Sequence, residues 1–128
     1  MTATEVLLVD QDPVRTSLLS GQLEDAGYTV VTAGDADEAL AALGDHPKIA
    51  GLAAAWDLPE VNGLKFIRQA LKQGAFEGGV VLYDCPKPLM AEEKLEEWTD
   101  GENDFVVLEQ PSDGEQVVEA ITEVVGEE

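Results

Sequence analysis

Val6-Leu7-Leu8-Val9-Asp10-Gln11-Asp12-Pro13 holds three signals in eight residues. Four aliphatic residues in a row, without polar alternation, mark a strand buried on both faces of a parallel sheet. Asp10 ends the run. Asp12-Pro13 then offers an N-cap followed by a first-turn proline, the opening of a helix. Val14, Leu18, Leu19, Leu23 and Ala26 recur at helical spacing until Gly27 closes the stretch, so an amphipathic helix follows the strand.

The same alternation continues to the end of the chain. Thr29–Ala33, Ile49–Ala55, Val80–Tyr83 and Phe105–Leu108 read as strands. Between and after them, helical stripes are formed by Ala36, Ala39, Leu40 and Leu43, by Leu64, Ile67, Ala70 and Leu71 ending at Gly74, by Ala91, Leu95 and Trp98, and by Val117, Val118, Ile121, Val124 and Val125. Parallel neighbours need crossover connections, so five strands alternating with five helices predict an α/β fold: a doubly wound five-stranded parallel sheet covered on both faces. With no linker or low-complexity segment, residues 1–128 are read as one domain. A site in such a sheet lies in the crevice beyond the carboxyl ends of the strands.

Charge narrows the functional classes. Twenty-seven acidic residues against seven basic ones give a net charge of −20. A nucleic-acid surface needs clustered cations to displace counterions, and Arg15, Arg68 and five lysines do not supply it. Residues 92–128 carry fourteen acids and one lysine, so the acidity is concentrated in the last third. No apolar run approaches membrane-spanning length and no signal-like segment precedes the first strand, so a cytoplasmic location away from membranes is expected. Cys85 is the sole cysteine and is read as a small buried apolar residue; His46, in a Gly-Asp-His-Pro turn, is read as a surface loop residue. Trp98 continues a helical stripe and is assigned to the core, whereas Trp56 either lines the pocket beside Ala55 or covers the sheet end.

Three landmarks fall at strand ends: the Asp10-Gln11-Asp12-Pro13 corner, Asp57-Leu58-Pro59-Glu60-Val61-Asn62-Gly63-Leu64 after the third strand, and Gln110-Pro111 after the fifth. In this order and separation the chain resembles the receiver domains of response regulators, of the chemotaxis-regulator type, from about Glu5 to Gly126. The resemblance implies the flavodoxin-like strand order 2-1-3-4-5. It also implies a phosphoryl group accepted from a histidine kinase on an aspartate at the end of the third strand. Mg²⁺ held by that carboxylate and by acids after the first strand would neutralise charge during the transfer.

Carried over position by position, the chemistry is missing most of its parts. Asp10 is present, but the next acid, normally a metal ligand, is Gln11. The acceptor position, four residues before Pro59, is Ala55, a methyl group. The hydroxyl position after the fourth strand is Asp84, the lysine before the fifth-strand proline is Gln110, and the fifth-strand aromatic is Val107. The expectation is a degenerate pseudo-receiver, no enzyme, without a resident cofactor or metal. Two alternatives stay open. Asp57 could serve as a displaced acceptor, although two residues of extended chain move a side chain by roughly 6–7 Å. Asp10, Asp12 and Asp84 could form a weak Mg²⁺ or Ca²⁺ site in a divalent-ion-responsive binding module.

Receiver-family members bind partners and dimerise through the fifth strand and its flanking helices, which the resemblance puts at about residues 88–126. The expected partner surface is Glu92, Glu93, Glu96, Glu97, Val107, Glu115, Glu119 and Glu123. Its charge would steer a signalling protein with a basic surface, and a homodimer could use the same face. General acid enrichment, as in salt-adapted proteins, is the competing explanation of that charge.

Overall fold

The computed structural model describes residues 4–73, 76, 78–85, 105–109 and 113–125. Within them the chain runs β1 (Glu5–Val9), α1 (Pro13–Asp25), β2 (Thr29–Ala33), α2 (Ala36–Asp45), β3 (Ile49–Ala55), α3 (Gly63–Lys72), β4 (Gly79–Cys85), β5 (Phe105–Glu109) and α4 (Gly114–Val125). All strand pairs are parallel and the sheet order is β2-β1-β3-β4-β5, a flavodoxin-like α/β arrangement. The expected helix over Ala91, Leu95 and Trp98 lies outside the described residues.

The order fixes which helix covers which face. The chain moves one way from β1 to β2 and the opposite way from β2 to β3 and on to β4. Right-handed crossovers therefore put α1 on one face and α2 and α3 on the other. Contacts agree: α4 packs against α1, and α3 against α2. The central strands are buried throughout their aliphatic runs, Val6 to Val9, Leu52 to Ala55 and Val80 to Tyr83, as expected for a sheet covered on both sides. On the α1 and α4 face the packing is close enough that a side chain at Gly51 would press on Val125 and approach Ile121.

The helix starts follow local capping chemistry. The Asp12 carboxylate accepts from the Val14 and Arg15 amides, Asp35 from Glu38, and Asn62 from Lys65, each satisfying a backbone donor that a helix start leaves unpaired. His46 is the exposed C-cap of α2. In α1 the structure departs from the expected stripe. Leu19 and Leu23 are buried, but Val14 is 76% and Leu18 59% exposed, and Ala26 is also exposed. Adjacent helical positions differ by about 100°, so Leu18 and Leu19 cannot share a face, and Leu19 turns inward with Leu23.

The link from β3 to α3 is tight. The Gly63 amide donates to the Trp56 carbonyl at 2.7 Å, and a Cβ at Gly63 would run into the Ala55 carbonyl oxygen. Backbone cannot yield there as a flexible side chain would. Gly63→Ala is therefore expected to lower unfolding free energy by about 1–3 kcal/mol. Gly21, exposed within α1 and with nothing near its missing Cβ, should respond the other way, Gly21→Ala adding about 0.5–1 kcal/mol. Urea unfolding of the two variants beside the parent checks both signs.

Candidate functional site

The carboxyl edge of the sheet is organised around one acid. Asp10 follows β1 directly, its side chain is fully shielded from solvent, and it is the buried charged residue among the described ones. An ionised carboxylate is tolerated there only if donors replace its water. Four do. Oδ2 accepts from Arg15 Nε at 2.6 Å and from the Tyr83 hydroxyl at 2.7 Å, and Oδ1 accepts from the Asp12 amide at 2.9 Å and, more weakly, from Arg15 Nη2 at 3.5 Å.

Arg15 reaches Asp10 because Asp12 and Pro13 start α1 immediately beyond the β1 corner, placing residue 15 in the first helical turn above the sheet end. Its Nη1 also donates to Asp84 Oδ2 at 3.2 Å, and the guanidinium carbon lies 5.4 Å from the centroid of the Tyr83 ring, within cation–π range. Burial alone would pull this guanidinium down, but the bonds to Asp10 and its charge, with Asp84 added, more than offset that and raise it. The cation is permanent.

Tyr83 explains how the cluster spans three strands. Ala55 is in register with Tyr83, and one step before it Ala54 pairs with Val9, so Asp10, Ala55 and Tyr83 lie abreast across β1, β3 and β4. Strands β1 and β4 are both neighbours of β3, hence separated by about two strand spacings of ~4.8 Å. The phenol of Tyr83 must therefore cross above Ala55 to reach Asp10. A methyl group at position 55 leaves room for it; a longer side chain would meet the ring. Tyr83 is fully buried.

Asp84 reaches the cluster through a backbone irregularity. Leu82 pairs with Val107 and Cys85 with Glu109, so β4 carries one more residue than β5 over this interval, a bulge. Asp84 sits in it with φ 62°, in the left-handed region that Asp tolerates better than most residues. Bulges re-aim side chains, and this one presents Asp84 to Arg15.

The other expected positions take different places. Ala55 is buried at the end of β3, as the sequence register required. Gln11 is exposed and donates through Nε2 to the Asp57 carbonyl at 3.1 Å, so it bridges two loops, while the Asp57 side chain stays at the exposed surface. Asp12 is committed to capping α1. Trp56 is half-buried against the core, its amide donating to the Tyr83 carbonyl. Glu115, Glu119 and Glu123 form an exposed row on α4, and the Val107 backbone lies in β5. Gln110, Glu92, Glu93, Glu96, Glu97 and Trp98 lie outside the described residues, as does the Cys85 side chain.

Arg15 and Tyr83 were not candidates from the sequence, yet they hold the site together. A signal existed for each: an arginine five residues past the corner acid, and a phenol ending an aliphatic strand opposite three alanines.

A divalent ion does not fit this arrangement. Mg²⁺ needs an octahedron of oxygen donors near about 2.1 Å. Position 55 contributes a methyl, Gln11 is directed to a backbone carbonyl, and Asp12 to a helix start. Both Asp10 oxygens are engaged, one of them in a 2.6 Å contact with a cation. Of the three acids in the alternative metal-site reading, Asp12 caps α1, and Arg15 stands between Asp10 and Asp84. No group of three acidic, histidine or cysteine side chains among the described residues is arranged to hold a metal. Among the same residues no helix is long and apolar enough to cross a membrane.

No protein-family model matches the chain, and no curated protein sequence does. Solved structures do. A response regulator receiver domain protein from Clostridium thermocellum superposes with TM-score 0.78 at 19% identity, over 95% of this chain and 94% of the other. The chemotaxis protein CheY4 of Vibrio cholerae gives 0.77 at 22%, over 96% and 99%. The signal receiver domain of an HD domain-containing protein from Pseudomonas fluorescens gives 0.76 at 24%, over 97% and 95%. At these identities the likeness establishes the fold: the chain is folded as response regulator receiver domains are.

Burial, then the charge and hydrogen bond of Asp10, push the Tyr83 phenol far above its ordinary value of about 10. The unfolded chain ionises this group near pH ~10 while the folded chain keeps it protonated. Its contribution is therefore complete below that pH and is lost as pH climbs beyond it. Tyr83→Phe should cost about 1.5–3 kcal/mol at neutral pH, the range for a hydrogen bond to a charged group. It should also flatten the fall in stability at alkaline pH. Urea melts of both proteins at neutral and alkaline pH measure the two effects.

Proposed function

We propose that residues 1–128 form a receiver-like domain of two-component or phosphorelay signalling that accepts no phosphoryl group and acts by binding another signalling protein. The observation that carries this reading is Ala55 at the end of β3, with the Tyr83 phenol lying across it to Asp10. Acyl phosphate formation needs a carboxylate nucleophile there and a cation to neutralise the incoming charge. Position 55 offers neither a nucleophile nor free space. A phosphoryl group brought to the edge would also face Asp84, a like charge.

The Asp57 alternative would require its carboxylate to replace the missing one. Two residues past Ala55, it lies at the exposed surface of a loop that Gln11 ties down through the Asp57 carbonyl. That favours a solvated loop acid.

Binding is the activity left to the fold. The exposed Glu115, Glu119 and Glu123 on α4 recur at one-turn spacing and make a row of carboxylates suited to a basic partner surface. The sequence continues this charge through Glu92, Glu93, Glu96 and Glu97. A further solved neighbour of this fold, CheY of Borrelia burgdorferi, was captured in a complex with CheX, an instance of such a domain engaging a second signalling protein.

Incubation with acetyl phosphate and Mg²⁺ followed by intact-mass measurement should leave the mass unchanged. A labile phosphoryl adduct would overturn the reading, and its loss in Asp57→Asn would transfer the acceptor role to Asp57.

A further inference from the structure

We propose that Arg15 is a resident counter-ion, a tethered cation that takes the place of a divalent ion in the acidic pocket and fixes the end of β4 whether or not divalent ions are present. The proposal deepens the phosphorylation-independent reading and rests on it for the expectation that this edge would otherwise invite a metal.

The geometry points to this role in three ways. One guanidinium serves carboxylates from two separate strands, Asp10 after β1 and Asp84 near the end of β4, with different nitrogens at 2.6 and 3.2 Å. It is shielded as a bound ion would be, with 28% of its side chain exposed and the Tyr83 ring beneath it. It also stands where the fit of a metal fails: an approaching Mg²⁺ would have to displace a like charge and break the bonds at Asp10 Oδ2.

Two physical consequences follow. With Arg15 in place both pocket acids share a cation, so divalent ions have less to gain there. With Arg15 removed, Asp10 loses its only cationic partner among the described residues while remaining buried beside Asp84, and an unpaired buried carboxylate is strongly unfavourable. A hard cation with oxygen preference is the species that relieves this. Arg15 is thus a positioning residue: it links the start of α1 to the β4 bulge.

The test is a titration of MgCl₂ and, separately, CaCl₂ into the chain of residues 1–128, followed by amide NMR at constant ionic strength. In the parent, the Asp10, Asp12 and Asp84 amides should show no saturable shift. Arg15→Ala should acquire one, with an affinity at least about tenfold above any parental response. Arg15→Lys, which keeps a cation, should stay unresponsive, and Asp10→Asn added to Arg15→Ala should abolish the gain. A saturable parental response at Asp10 as strong as that of Arg15→Ala would overturn the proposal, as would an Arg15→Ala protein indifferent to both ions. Should Arg15→Ala fail to fold, Arg15→Gln takes its place in the titration, with the same two outcomes deciding. None of these readings depends on phosphoryl transfer, so the acetyl phosphate experiment and this one fail separately.

Discussion

A carboxylate that the β1 corner places out of reach of solvent sets the terms for the whole carboxyl edge of the sheet. A carboxylate shielded from water needs donors for its oxygens in place of solvent. The chain supplies them from three directions: the Asp12 amide from the turn, Arg15 from the first turn of α1, and Tyr83 from β4. Each supply route constrains its surroundings. Arg15 is in reach because Asp12 caps and Pro13 opens α1 where they do. Tyr83 is in reach because the intervening strand presents alanine. Asp84 is drawn in because the bulge in β4 turns it toward the guanidinium. Removing one partner leaves a buried charge short of a donor, and the cost then falls on the edge as a unit.

The fold was legible because its signals are local and repeated. Uninterrupted aliphatic runs such as Val6 to Val9 can be satisfied only by burial on both faces, and the N-caps Asp12, Asp35 and Asn62 sit where the helices begin. Where a pattern was broader than the buried face, the sequence overreached. Val14 and Leu18 fit helical spacing as well as Leu19 and Leu23 do, but which row of α1 turns inward is decided by the sheet and by α4, which no local window contains. That β3 ends on the methyl group of Ala55 was readable from the apolar run Ile49–Ala55. What lies across it was not. Tyr83 acts across β3 on a residue 73 positions earlier in the chain, and only strand order and register bring the two abreast.

Charge is handled in opposite ways at the pocket and on the surface. At the carboxyl edge, acids meet an arginine and a phenol, and the result is a compensated, solvent-poor cluster. On α4, Glu115, Glu119 and Glu123 are left exposed, in a region of sequence with almost no bases. Exposed like charges of this kind contribute little to stability and add self-repulsion, but they raise encounter rates with a basic surface while salt remains moderate. The two arrangements divide the molecule into a part whose electrostatics are closed and a part whose electrostatics face outward.

A tethered cation and a dissolved one compete on unequal terms. The Arg15 guanidinium is carried five residues from Asp10 on a helix that is already folded, so its effective concentration at the carboxylate is millimolar or greater without any ligand being bound from solution. Mg²⁺ must in addition shed water, which it does reluctantly, and find an octahedron that Ala55 and Gln11 do not provide. A planar guanidinium has no such demand. It needs acceptors in a fork, and Asp10 and Asp84 supply them from separate strands. If Arg15 holds the place of a dissolved ion as proposed, the state of this edge is set by the chain itself. On the proposed reading the fold then serves by its shape: parallel strands that hold β5 and α4 in a fixed relation.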